Sequence, residues 1–176
     1  VKYFNGFSLK EEEAIFAAYL DESDFVVAGF SYGAQRAFEY VHASERRVEK
    51  LILISPAFFQ TQKRSFIRTQ LRYFESDAES YSRQFLINVA YPSQVDLSKY
   101  LHIGTKDELE SLLTYEWSAE KIKELLARGT QIEVYLGGSD KIIESSVAYE
   151  FFSNLTLTYF IKDVGHCLLG SDKPRI

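Results

Sequence analysis

The chain has 176 residues, 46% of them hydrophobic and 26% charged, with a formal net charge of −5; this is enough for one domain with its own core, without disulfides or metal clips. No continuous apolar run reaches membrane-spanning length, and the first twenty residues lack the basic and apolar regions of a secretory signal, so a cytoplasmic protein is expected. A lone Cys167 excludes an internal disulfide framework, His42, His102 and His166 lack metal-ligand spacing, and an acidic balance without a recognition motif argues against nucleic acid; no metal or organic cofactor is expected.

The chain contains no Met, and its natural start is expected to lie ahead of Val1. Val1–Phe4 is the first of five segments rich in β-branched and aromatic residues, and is predicted to be a strand. Ser8 with Glu11 forms a capping-box signature before the helical pattern "EEEAIFAAYL". Phe25–Phe30 is the second strand, followed at once by the helical "YGAQRAFEYVHA", and Lys50–Ile54 is the third strand. The pattern then changes. From about 58 to 128 no strand signal appears, and "KRSFIRTQLRYF", "AESYSRQFLINV", "TKDELESLLTYEW" and "AEKIKELLARG" read as helices. Thr105 with Glu108 makes another capping box, and Gly129 stands at a helix C-terminus. Strands four and five follow at Ile132–Leu136 and Thr156–Ile161.

Nearly continuous apolar strands alternating with helices predict a doubly wound α/β fold: a mostly parallel, five-stranded sheet in a single domain spanning 1–176. The segment at about 58–128 is predicted to be a helical lid inserted between the third and fourth strands and packed on the sheet edge.

Gly29-Phe30-Ser31-Tyr32-Gly33 is a GxSxG sequence, which alone is weak, since average composition yields one in roughly twenty chains of this length. Its context is specific. A nucleophile elbow needs a strand before the serine and a helix after it, with small flanking residues to admit the sharp turn. A serine-capped strand-to-helix turn is the plainer alternative. A serine hydroxyl needs a base to take its proton and an acid to orient that base. Asp140 stands just beyond the fourth strand and His166 just beyond the fifth, so both fall at the carboxyl ends of parallel strands, where open α/β sheets build sites. Asp140 alternatively caps the helix suggested by "ESSVAYEFF", Asp163 is a substitute acid close to His166 in sequence, and His42 and His102 read as solvated or capping residues. An oxyanion would need two N–H donors, and Tyr32, after the serine, and Phe7, after the turn-forming Gly6, are the candidates.

On "NGFSL", "GFSYG", "GGSDKII" and "VGHCL" the chain resembles the α/β hydrolase superfamily over nearly its whole length, and within it most resembles the pimeloyl-acyl-carrier-protein methyl ester esterases of biotin synthesis, of the compact BioV type. The resemblance implies hydrolysis of a methyl ester at the far end of a pimeloyl chain on acyl carrier protein, with Ser31 as nucleophile, Asp140 as acid, His166 as base, and Phe7 and Tyr32 as oxyanion donors. Asn5 stands where the superfamily usually has a histidine, and the two leading strands and one between Leu20 and Asp24 are missing.

Independently of the resemblance, "QTQKRSFIRTQLRYF" holds Lys63, Arg64, Arg68 and Arg72 and no acid. On a helix the three arginines share one face, a dock for an acidic carrier protein or a solvated face paired with Glu75 and Glu79. Phe58, Phe59, Phe66, Ile67, Leu71 and Phe74 supply core packing, an acyl channel, or both. A thioesterase, a broad short-chain esterase and a catalytically silent binding module are the alternative functions.

Overall fold

A computed structural model describes residues 1–171. Five strands, β1 (Lys2–Phe4), β2 (Val26–Phe30), β3 (Lys50–Ile54), β4 (Gln131–Gly137) and β5 (Leu157–Ile161), form one sheet in sequence order. All four pairings are parallel. Every connection is therefore a crossover, and all five strands deliver their carboxyl ends to the same edge of the sheet.

The central strands are buried on both faces because their side chains alternate between two cores. Val27, Leu51, Leu53, Ile132 and Val134 pack with α1 (Tyr32–Ala43) and with residues of α5 (Ala119–Ala127) and α6 (Ser145–Ser153). Val26, Ala28, Phe30, Ile52 and Ile54 pack beneath Phe16 and the end of α3 (Ala78–Ala90). Phe16 lies in a 3₁₀ helix, Glu12–Tyr19, where the sequence suggested a capped α-helix. Ser8 does not cap it: Glu11 takes that position in a left-handed conformation, and the Ser8 hydroxyl meets Ser82 Oγ at 3.3 Å and accepts the Gly104 N–H. Glu12, the first residue of this helix, is buried.

Between β3 and β4 the chain is helical: α2 (Arg64–Ser76), α3, α4 (Lys106–Thr114) and α5, with a short 3₁₀ turn at Ser98–Tyr100. Thr105 and Glu108 form a reciprocal capping box on α4, and Gly129, at φ 88°, follows the end of α5. This segment leaves and re-enters the sheet at neighbouring inner strands. Its helices α2, α3 and α4 wall a cavity above the end of β2, while α5 packs on α1 and β4. Among the described residues no helix is long and apolar enough to cross a membrane.

Candidate active site

Ser31 follows β2 directly and has φ 55° and ψ −113°, a conformation that a non-glycine residue adopts only when its surroundings impose it. The surroundings here are backbone. A Cβ on Gly29 would lie 2.2 Å from the Gly33 carbonyl oxygen, and one on Gly33 would lie 2.0 Å from that of Phe4. Only glycine at both positions lets α1 start this close to β1 and β2. The Ser31 N–H donates to Ile54 O, and its carbonyl accepts from Ala34 and Ala57. The Ser31 side chain makes no helix-capping bond, so its hydroxyl is left for other partners.

That partner is His166. Its Nε2 lies 2.8 Å from Ser31 Oγ and its Nδ1 lies 2.6 Å from Asp140 Oδ2. The side chains of His166 and Asp140 are fully buried, and Ser31 is 3% exposed. Asp140 Oδ1 is held independently by the N–H groups of Ile142 and Ile143, at 2.6 and 3.0 Å. Asp140 therefore caps its own turn and not α6, whose N-cap is Glu144. Asp163 is exposed and bonds no imidazole among the described residues. His42 pairs with Glu124 across α1 and α5, and His102 is exposed beside the Phe7 loop.

Two supports of the imidazole carry no local sequence signal. Ser55, after β3, donates its hydroxyl to the His166 carbonyl at 2.6 Å, and the Phe30 ring packs against the imidazole with centroids 5.0 Å apart. Their involvement depends on contacts more than a hundred residues apart in the chain.

A chain of contacts from a carboxylate through an imidazole to a hydroxyl can move a proton off the hydroxyl and return it to a leaving group. Such a reaction would develop negative charge on a carbonyl oxygen near Ser31. The Tyr32 N–H sits at the N-terminus of α1, and the Phe7 N–H sits on the loop after β1; neither donates to an acceptor within the described residues. Phe7 and Ser31 line the same cavity, of about 590 Å³, a size suited to a small-molecule ligand.

The cavity divides the candidate apolar residues. Phe59 and Phe66 line it, whereas Phe58 and Phe74 are buried in the core and Ile67 and Leu71 pack against it. The lining also holds polar groups, including Gln70, which accepts from the Tyr81 hydroxyl at 2.8 Å and so ties α2 to α3. Burial pushes Tyr81 up to about 12, keeping it a neutral donor. Helix α2 thus presents three faces: Phe66, Gln70 and Tyr73 to the cavity, Ile67, Leu71 and Phe74 to the core, and Arg64, Arg68 and Arg72 to solvent. Glu75 and Glu79 do not pair with these arginines. Glu75 bonds Lys106 and Glu79 bonds Arg83, leaving Lys63, Arg64, Arg68 and Arg72 without an ion pair among the described residues. No cluster of three or more His, Cys, Asp or Glu able to hold a metal occurs among the described residues.

No protein-family model and no curated protein matches the chain. Solved structures do. The chain is similar to MenH from S. aureus at 13% identity and TM-score 0.60, over 93% of this chain and 85% of that one. It is similar to BioG from Haemophilus influenzae at 12% identity and TM-score 0.59, over 94% and 87% of the two chains. Carboxylesterase CesB from Bacillus subtilis matches at 17% identity and TM-score 0.53, with 89% of this chain spanning 57% of that protein. The chain thus spans most of two compact neighbours and little more than half of the larger one. At these identities the likeness establishes the fold, which is that of the α/β hydrolases.

Proposed function

We propose that the protein is a serine carboxylesterase whose substrate is an acyl chain carried on acyl carrier protein and ending in a methyl ester, the pimeloyl-carrier methyl ester of biotin synthesis. The observation that carries the chemistry is the line of contacts from Asp140 through His166 to Ser31 Oγ. In this reading Ser31 Oγ attacks the ester carbon while His166 Nε2 takes its proton. The N–H groups of Phe7 and Tyr32 receive the oxyanion. His166 then protonates the departing methoxide, methanol leaves, and water activated by the same imidazole releases the carboxylate from Ser31. Asp140 holds the imidazole in the tautomer that keeps Nε2 free to accept.

Two features support the substrate assignment. The cavity over Ser31 has an aromatic side, Phe7, Phe59, Phe66 and Phe85, suited to a hydrocarbon chain, and among the described residues its only charged lining residues are Asp77 and Lys141. The outer face of α2 offers three arginines free of carboxylate partners among the described residues, in a chain that is otherwise acidic, which suits an acidic carrier and its phosphopantetheine phosphate. A carrier in the cytoplasm is the partner this reading requires.

The test is to incubate the protein with pimeloyl-carrier methyl ester and read product mass. Methanol release with the thioester intact is expected, and Ser31→Ala abolishes it. Release of free carrier thiol would make the protein a thioesterase. Failure of Ser31 to label with a fluorophosphonate would make it a binding module.

A further inference from the structure

Glu12 is a buried acid with no part in the proton relay. Its residue is 0% exposed, yet it lies in a run of three glutamates, Glu11, Glu12 and Glu13, whose other two members are exposed. Oε1 accepts the Gly6 N–H at 2.7 Å and the Tyr3 hydroxyl at 3.0 Å. Oε2 is buried with no partner among the described residues. Burying a carboxyl group with one oxygen unsatisfied costs stability. A hydrophobic residue would fill the space without that cost, so the bonds made by Oε1 are what distinguish the acid.

Those bonds fall on the loop that carries Phe7. The Gly6 N–H belongs to the Asn5–Gly6 peptide, which Glu12 fixes. The next peptide, Gly6–Phe7, has its carbonyl held by the Leu9 N–H at 3.3 Å. In a trans peptide the N–H points opposite to the carbonyl, so holding both units fixes where the Phe7 N–H is aimed. On the far side of the loop, the Phe4 and Asn5 carbonyls press against Gly33 of α1. The loop is clamped between a helix start and a carboxyl group.

We infer that Glu12 is a positioning residue for the oxyanion site, its Oε1 pinning the Asn5–Gly6 peptide so that the Phe7 N–H faces the carbonyl oxygen of an ester at Ser31. Desolvation raises the pKa of Glu12 and favours its neutral form. The inference rests on the serine-hydrolase reading.

The experiment compares wild type with Glu12→Asp, Glu12→Gln and Glu12→Leu on p-nitrophenyl acetate, alongside affinity for an alkylboronic acid that mimics the tetrahedral adduct. Asp withdraws the acceptor by one methylene, and Leu removes it. Both are expected to lower kcat and boronate affinity about 10- to 100-fold, approaching the loss of one oxyanion donor, with KM within about threefold. Gln keeps an oxygen for Gly6 and is expected to recover kcat to within about threefold of wild type. If Leu does not fold, Asp against Gln decides. An Asp variant with undiminished kcat, or a Gln variant as impaired as Asp, overturns the role of Glu12 while leaving the hydrolase reading standing. Wild-type protein inert toward both ester and boronate overturns both.

Discussion

Asp140 divides its two oxygens between two tasks, one bonding the imidazole and the other a pair of backbone N–H groups. Asn in its place keeps the backbone bonds through its carbonyl oxygen and turns an NH₂ toward Nδ1. The imidazole must then carry its proton on Nε2, pointing at Ser31, where it has no capacity to accept. Asp140→Asn is therefore expected to fold normally, by an unchanged circular dichroism spectrum, and to lose kcat on p-nitrophenyl acetate by about 10⁴-fold. The positions of Ser31, Asp140 and His166 near strand ends were legible in sequence, because each stands at or within about five residues of the end of a strand-forming run. Glu12 and Ser55 were not. Nothing local separates the middle glutamate of three from its exposed neighbours, and Ser55 reads as an ordinary strand-end turn until the His166 carbonyl is brought to it by the fold.

At the scale of elements, helix α1 is set by its second residue. Gly33→Ala places a methyl group 2.0 Å from the Phe4 carbonyl at the end of β1, which no side-chain rotation relieves. The helix must shift, with an expected cost of about 1–3 kcal/mol, read as a lower midpoint in urea unfolding, and loss of activity larger than the loss of folded protein explains. Helix α2 carries the other element-scale prediction. Arg64, Arg68 and Arg72 face solvent on the side away from the cavity, so replacing all three with Glu leaves the cavity wall intact. Expected is a rise in KM of about tenfold or more for carrier-borne ester, with small-ester kinetics unchanged; equal losses on both substrates would remove the docking role. The limits of the inner strands β2, β3 and β4 were readable to within about a residue because parallel inner strands are apolar on both faces. The Ser8–Glu11 signature misled because Ser8 is drawn to Ser82 and Gly104, partners 74 and 96 residues away, which no local pattern announces.

The molecule as a whole titrates through groups whose proton affinity changes on folding, and Glu12 is a carboxyl group whose raised pKa makes stability fall as pH rises from the acid side. Its ordinary value is 4.5, and the folded protein raises it, first by desolvation and further by the neighbouring Glu13, against the opposing bonds from Gly6 and Tyr3. The folded state therefore binds this proton more tightly than the unfolded chain. Its contribution is fully present below 4.5 and is lost as pH rises through the folded value. Glu39 acts in the opposite sense: its hydrogen bonds from Tyr115 and Lys121 outweigh desolvation and lower its pKa, so its stabilisation is lost toward acid. That group is partly exposed, and solvent screens the effect. Glu12→Gln removes the first dependence and leaves the second. Calorimetry across pH is expected to give equal melting temperatures for Glu12→Gln and wild type near pH 4, and a growing advantage for the variant above it, levelling off once Glu12 is ionised in both states. A constant difference at all pH values would mean that the buried carboxyl does not change its proton affinity on folding. The same variant keeps the Gly6 bond, so a gain in stability with activity retained would separate what the carboxyl group costs the whole molecule from what its oxygen does for the loop.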